Sequence, residues 1–119
     1  MLPAPTIPDP NAVGRYDAVD LERFRRHAEI CKVLTDPKRL MLLDVLRDGE
    51  CSVSELAEAI GASLANVSQH LGVLRHAGLV DTRRVATSIR YRLTDPMIIE
   101  ACEAVDRVVL GRLQLSEPR

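Results

Sequence analysis

Tryptophan is absent from this 119-residue chain, and its aromatics are Tyr16, Phe24 and Tyr91. Proteins that hold single-stranded nucleic acid stack bases on aromatic rings, so that ligand is disfavoured here against a duplex. No apolar run approaches the ~20 residues that a membrane-spanning helix needs, and the N-terminus has no basic stretch leading into an apolar core. Neither a membrane partner nor a secretory signal is therefore expected. Cysteine is scarce and odd in number, at Cys31, Cys51 and Cys102. Three thiols without scaffold-like spacing suit a reducing, cytoplasmic location rather than a disulfide framework. There is no Gly-rich phosphate loop, no metal-binding Cys-x-x-Cys and no nucleophile and base at local spacing, so no enzyme activity is expected.

A strong overall charge is missing too, since the formal net charge is −1. Its distribution is less even. Residues 61–93 carry Arg75, Arg83, Arg84, Arg90 and Arg92 against Asp81, a net +4 that leaves −5 for the rest of the chain. Concentrated positive charge on one stretch is what a phosphate backbone attracts. The 46% hydrophobic content is that of a folded chain of one-domain size. So short a chain buries limited surface alone, and pairing with a second copy would help it.

The chain is organised around Ser63–Gly78. Ser63 is a helix-capping residue, and Gly78 suits the left-handed end of a helix. Val67, Leu71 and Leu74 recur at i, i+4 and i+7 and predict one buried stripe. The opposite face, with Asn66, Ser68, Gln69 and Arg75, is narrow, polar and mostly uncharged, as a helix that enters a DNA groove requires. Before it, Ser52–Ile60 has a capping serine with Glu55 three residues on, and Gly61 supplies the turn. Helix, short Gly-containing turn and second helix make a helix-turn-helix pattern. Leu79–Arg84 and Ile89–Leu93 then read as two strands around Val85-Ala86-Thr87-Ser88, a hairpin wing.

Upstream, Pro3, Pro5, Pro8 and Pro10 block regular structure, so residues 1–17 read as a flexible Pro-rich arm. Leu21, Phe24, Ala28, Cys31 and Leu34 keep helical spacing until Asp36-Pro37. A second helix begins at Pro37 and is apolar almost all round through Leu40, Met41, Leu42, Leu43, Val45 and Leu46, which predicts the central core helix. Downstream, Thr94-Asp95-Pro96 starts a last helix running to about Leu115. Ile98, Cys102, Val105 and Val109 form its stripe, with Ile99, Val108 and Leu113 beside it. That apolar width exceeds what one small domain covers and predicts a dimer surface formed with the first helix. The expected fold is mainly α with a small β-hairpin wing: a winged helix-turn-helix of four helices, two strands and a fifth helix. It occupies residues 18–115 as a DNA-binding and dimerisation domain, with 116–119 as a tail.

Asp36-Pro37-Lys38-Arg39-Leu40, Ser52-Val53-Ser54-Glu55-Leu56 and Val67-Ser68-Gln69-His70-Leu71-Gly72-Val73-Leu74-Arg75, in this order, resemble the ArsR/SmtB family of bacterial repressors over roughly residues 20–115. The resemblance implies a homodimer with the first and last helices at its interface. It also implies a double-stranded, dyad-symmetric operator and release by a metal, metalloid or thiol-reactive signal. Carried onto this chain, the reading positions fall on Leu64, Ala65, Ser68 and Gln69. With Ser63 and Asn66 they make the expected DNA-binding set on the helix. Arg84, Thr87, Ser88 and Arg90 are the corresponding set on the wing. The alternatives from residues alone are a winged-helix module that binds protein, and a constitutive regulator without effector.

The family's effector sites match less well. Its Cys-Val-Cys stands here as Ser52-Val53-Ser54, which replaces soft thiolates with hydroxyls. Its Asp-x-His on the last helix stands as Asp95-Pro96-Met97, with Val108 and Gly111 at the partner positions, too few ligands for zinc. The core-helix cysteine of a persulfide-sensing branch is Asp44. Cys31, Cys51 and Cys102 are thus the effector-sensing candidates, for a thiolate-bound metal or metalloid ion or a sulfur electrophile. Each also reads as a small buried hydrophobe. Cys51 is expected at a helix start, which would lower its pKa. His70 is expected to be a packed, hydrogen-bonded residue and not a ligand.

Overall fold

In the computed structural model the described residues are 14–113, and the proposed proline arm therefore lies outside them up to residue 13, as do the 116–119 tail and the end of the last helix at Leu115. The chain divides into two units, residues 1–32 and 33–119. In the first, helix α1 (Ala18–Val33) begins at a reciprocal cap. The Asp20 amide donates to Asp17 Oδ1 at 2.9 Å, and the Asp17 amide donates to Asp20 Oδ2 at 3.0 Å. Two aspartates can do this because both carboxylates also favour the positive end of the helix. Tyr16 meets Phe24 edge-on, with ring centroids 5.6 Å apart. No residue of α1 is buried. Cys31, expected on a buried stripe, is exposed, and Leu21 and Phe24 are exposed with it.

The second unit holds helices α2 (Pro37–Leu46), α3 (Val53–Ile60), α4 (Leu64–His76) and α5 (Met97–Leu113), and strands β1 (Cys51–Ser52), β2 (Val80–Val85) and β3 (Ser88–Leu93). Its core is Leu42, Leu43, Leu46, Leu56, Ala57, Val67, Leu71, Leu74, Val80 and Ile99. α2 and α4 supply three residues each, and only one face of α2 is covered where its sequence predicted burial almost all round: Leu40 and Met41 are exposed. Asp36 caps α2 through the amides of Lys38 and Arg39. Ser52 and Glu55 form the expected capping box on α3, and Ser63 caps α4 by accepting from the Asn66 amide at 3.1 Å.

Both helices of the central hairpin end in the same way. Gly61 has φ 68 and Gly78 has φ 80, a backbone region that costs a residue with a Cβ about 1–2 kcal/mol. After α3, Ala62 N donates to Ala57 O and Gly61 N to Glu58 O; after α4, Leu79 N donates to Leu74 O and Gly78 N to Arg75 O. This pair of bonds is the Schellman arrangement, and it satisfies carbonyls that the helix leaves orphaned.

The wing departs from expectation in one respect. It is not a free two-stranded hairpin but part of a three-stranded antiparallel sheet in the order β1-β3-β2. Cys51 pairs with Tyr91 and Ser52 with Arg90, which ties the segment before α3 to the base of the wing. Two residues carry no readable period, so pattern alone could not reveal this strand.

Candidate nucleic-acid interface

α4 turns Val67, Leu71 and Leu74 into the core and leaves Leu64, Ala65, Ser68, Gln69, Gly72 and Arg75 exposed. Among the described residues, Ser68 and Gln69 make no side-chain hydrogen bond and Arg75 makes no ion pair, so their polar groups are uncommitted. Leu64, at the first turn, is 55% exposed. Ser63 and Asn66 are both committed within the fold, Ser63 in the capping role that its sequence also predicted. The Ser63 hydroxyl is engaged as a cap, and Asn66 Oδ1 accepts from Lys38 Nζ at 3.4 Å. Lys38 is a cation beside this helix that pattern reading missed, because it lies 28 residues away in sequence and is brought in only by the packing of α2.

α4 is anchored from behind. Arg39 Nε donates to His70 Nδ1 at 3.2 Å, and an Arg39 terminal nitrogen donates to Val33 O at 3.0 Å. His70 Nε2 lies 4.0 Å from Asp36 Oδ1. Burial pushes the Asp36 carboxyl up, but the Lys38 and Arg39 amides, then the charges of His70 and Arg39, outweigh it and leave its pKa below the ordinary value. His70 is therefore the packed, hydrogen-bonded residue expected, and it joins α4 to the start of α2.

On the wing, β2 and β3 pair from Val80↔Leu93 to Val85↔Ser88, leaving Ala86 and Thr87 as the tip. Ala86 takes φ 55, a conformation in which a glycine would be unstrained. Arg84 and Thr87 are exposed and Ser88 is half-buried. Among the described residues Arg84 has no ion-pair partner.

Three of the five arginines counted above are not free. Arg83 donates to Glu50 through Nε at 3.1 Å and through a terminal nitrogen to the other carboxylate oxygen. Arg90 donates to the Glu50 carbonyl at 3.1 Å, and its guanidinium lies 3.5 Å from the Glu50 carboxylate and 3.2 Å from that of Glu55. Arg92 pairs with Asp81 at 2.7 Å. The concentration of positive charge is thus mostly neutralised within the fold, and Arg90, expected to face phosphate, is held at the base of the wing. Arg75 and Arg84 keep their charge available. The Arg83 hydrogen bond is the main reason that the Glu50 carboxyl sits below its ordinary pKa.

The thiols are also placed. Cys51 is in β1 and not at a helix start; Ser52 holds the cap position of α3. Burial, then Glu55, push its thiol up despite Arg90, which reverses the expected depression. Burial, then Asp106 and Asp44, push up Cys102 as well. The positions of the family's metal sites do not fit an ion. Ser52 Oγ is committed to the Glu55 amide and Asp95 Oδ1 to the Met97 amide, and no group of three or more His, Cys, Asp or Glu among the described residues is placed to hold a metal. Nor, among those residues, is any helix long and apolar enough to cross a membrane.

Residues 36–82, from the α2 cap to the third residue of β2, match the family described as bacterial regulatory protein, arsR family. The Biofilm growth-associated repressor of Agrobacterium fabrum is 46% identical over 106 residues, covering 88% of this chain and 91% of that protein. The chain belongs to the ArsR family. The crystal structure of the transcriptional repressor BigR from Xylella fastidiosa superposes with TM-score 0.65 at 41% identity, over 71% of this chain and 87% of that one. The homodimeric winged helix-turn-helix DNA-binding domain Mb0332 from Mycobacterium bovis gives TM-score 0.74 at 28% identity, over 86% and 94%. Membership places this ArsR-family chain among winged helix-turn-helix transcriptional regulators and not among enzymes.

Proposed function

We propose that this protein is a cytoplasmic homodimeric repressor that reads a dyad-symmetric duplex operator with α4 and grips its backbone with the wing. The observation that carries this is the exposed face of α4. Ser68 and Gln69 offer short, uncommitted donors and acceptors beside the apolar Leu64, a combination suited to base edges and a thymine methyl in the major groove. Arg84 and Thr87 at the wing tip, with Arg75 on α4, supply contacts to phosphate. Dimerisation is supported by α5, on which Val105 is 62% and Val108 58% exposed, with Val109 and Leu113 also uncovered. α1 likewise leaves Val19, Leu21 and Phe24 uncovered. Such faces on a small domain favour a second copy.

The release signal is proposed to be directed at thiols, since the family's metal positions do not fit an ion here. Cys31 is the favoured target because it is exposed, while burial raises the pKa of Cys51 and Cys102 and lowers their thiolate fraction.

One titration tests both parts, with duplex from the region upstream of the protein's own gene read by fluorescence anisotropy. Ser68→Ala and Gln69→Ala should each weaken operator binding by ~1–3 kcal/mol while leaving binding to random duplex unchanged. Equal operator affinity in both variants and the native protein contradicts the reading face. After arsenite or a persulfide donor, the native complex should dissociate and the Cys31→Ser complex should persist. Equal release from both contradicts the thiol assignment.

A further inference from the structure

Arg83 and Arg90 stand directly opposite each other in the β2–β3 register. Like charges at directly opposed positions of an antiparallel pair repel, and a sheet that keeps them needs a counter-charge. Glu50 provides it from the segment just before β1. Its carboxylate accepts from Nε and one terminal nitrogen along one edge of the Arg83 guanidinium and approaches Arg90, while its own carbonyl accepts from Arg90. Glu55 closes the set on the α3 side at 3.2 Å from Arg90. Two carboxylates and two guanidinia sum to zero charge beside the wing.

We propose that Glu50 is a selectivity-determining residue: by occupying Arg83 and neutralising Arg90 it withholds two wing guanidinia from DNA phosphates. This rests on the reading of the domain as a duplex-DNA binder. The physical reason is that a carboxylate and a phosphate oxygen compete for the same bidentate donor geometry of arginine. Phosphate contacts are blind to sequence, and each releases counterions, so every arginine withheld lowers random-sequence affinity and flattens the salt dependence. Arg84, its neighbour, points to the opposite face of β2 because strand side chains alternate, and it stays outside the network. The wing thereby carries one working cation, Arg84, and two that are withheld by Glu50. Recognition leans on α4, and the ratio of operator to random binding rises.

The test is the salt dependence of binding to a random-sequence duplex and to the operator, measured for native protein, Glu50→Gln, Arg83→Ala and the double variant. Glu50→Gln should bind random duplex several-fold more tightly at low salt, with a slope of log K against log salt steeper by about one. The operator-to-random ratio should fall. The double variant should return to the native slope. Arg83→Ala alone, at an exposed side chain, should leave the native slope unchanged, and it decides the matter even if Glu50→Gln fails to fold. A slope lower by about one in Arg83→Ala means that Arg83 already grips phosphate in the native protein and overturns the proposal. An unchanged slope in folded Glu50→Gln overturns it as well. In both cases the native protein still binds DNA. A native protein that binds no duplex overturns instead the reading on which the proposal rests.

Discussion

At the scale of single residues, the turn of the wing depends on an alanine doing a glycine's work. Ala86 has φ 55, where an L side chain costs about 1–2 kcal/mol. Ala86→Gly removes that strain, and the greater freedom of glycine in the unfolded chain offsets part of the gain. A net effect of about 0.5 kcal/mol should raise the melting temperature by ~2–4 °C in a domain of this size. Calorimetry of the two proteins checks it, and a lower melting temperature for the glycine variant contradicts the strain. The wing tip was legible in the sequence as Val85-Ala86-Thr87-Ser88 because turn and flanking strands are local. The commitments of Asn66 and Arg90 were not, because their partners Lys38 and Glu50 arrive by tertiary packing from 28 and 40 residues away.

At the scale of elements, caps and ion pairs hold the hairpin and wing in register, and they share one chemistry. Asp36 caps α2, Glu55 closes the box on α3 and Glu50 grips the wing. All three carboxyls lie below their ordinary values of 3.8 for Asp and 4.5 for Glu. For Glu55 the leading cause is the Ser52 amide that it accepts, and for Glu50 it is Arg83. A carboxyl with a depressed folded pKa binds protons more readily when unfolded, so its contribution is fully present above the unfolded value and is lost as pH falls through the folded one. The urea midpoint should therefore be level from about pH 7 to 5.5 and fall below about pH 4.5. A midpoint that holds level or rises down to pH 3.5 contradicts the three assignments. The element boundaries were readable from their punctuation: Asp36-Pro37, Ser52 with Glu55, Gly61, Ser63 and Gly78 all act where they stand. β1 was hidden because it is two residues long and exists only by pairing with β3. Cys51 stands in that strand and not at the helix start, and burial, then the Glu55 charge, push its thiol up where the local sequence pointed down.

At the scale of the whole molecule, the chain joins a polar face on α4 to an uncovered apolar face on α5, and the second predicts how the first is used. Val105, Val108, Val109 and Leu113 would be a liability on a monomer, whereas in the proposed two-fold dimer they would form an interface that sets two α4 helices about one DNA turn apart, ~34–36 Å. The apolar excess of α5 was visible in its sequence because helical spacing reports width directly. The charge balance was not visible, because a count of arginines says nothing of which carboxylates reach them. The most direct test of the central claim is sedimentation velocity of the native protein with a labelled duplex carrying its upstream region, in parallel with Val105→Glu. Two protomers of native protein should co-sediment with each duplex. Val105→Glu, which would bury an unpaired charge at the interface, should leave the duplex free and the protein monomeric. A native monomer at micromolar concentration, or a complex formed equally by Val105→Glu, would contradict the claim that this domain reads DNA as a dimer.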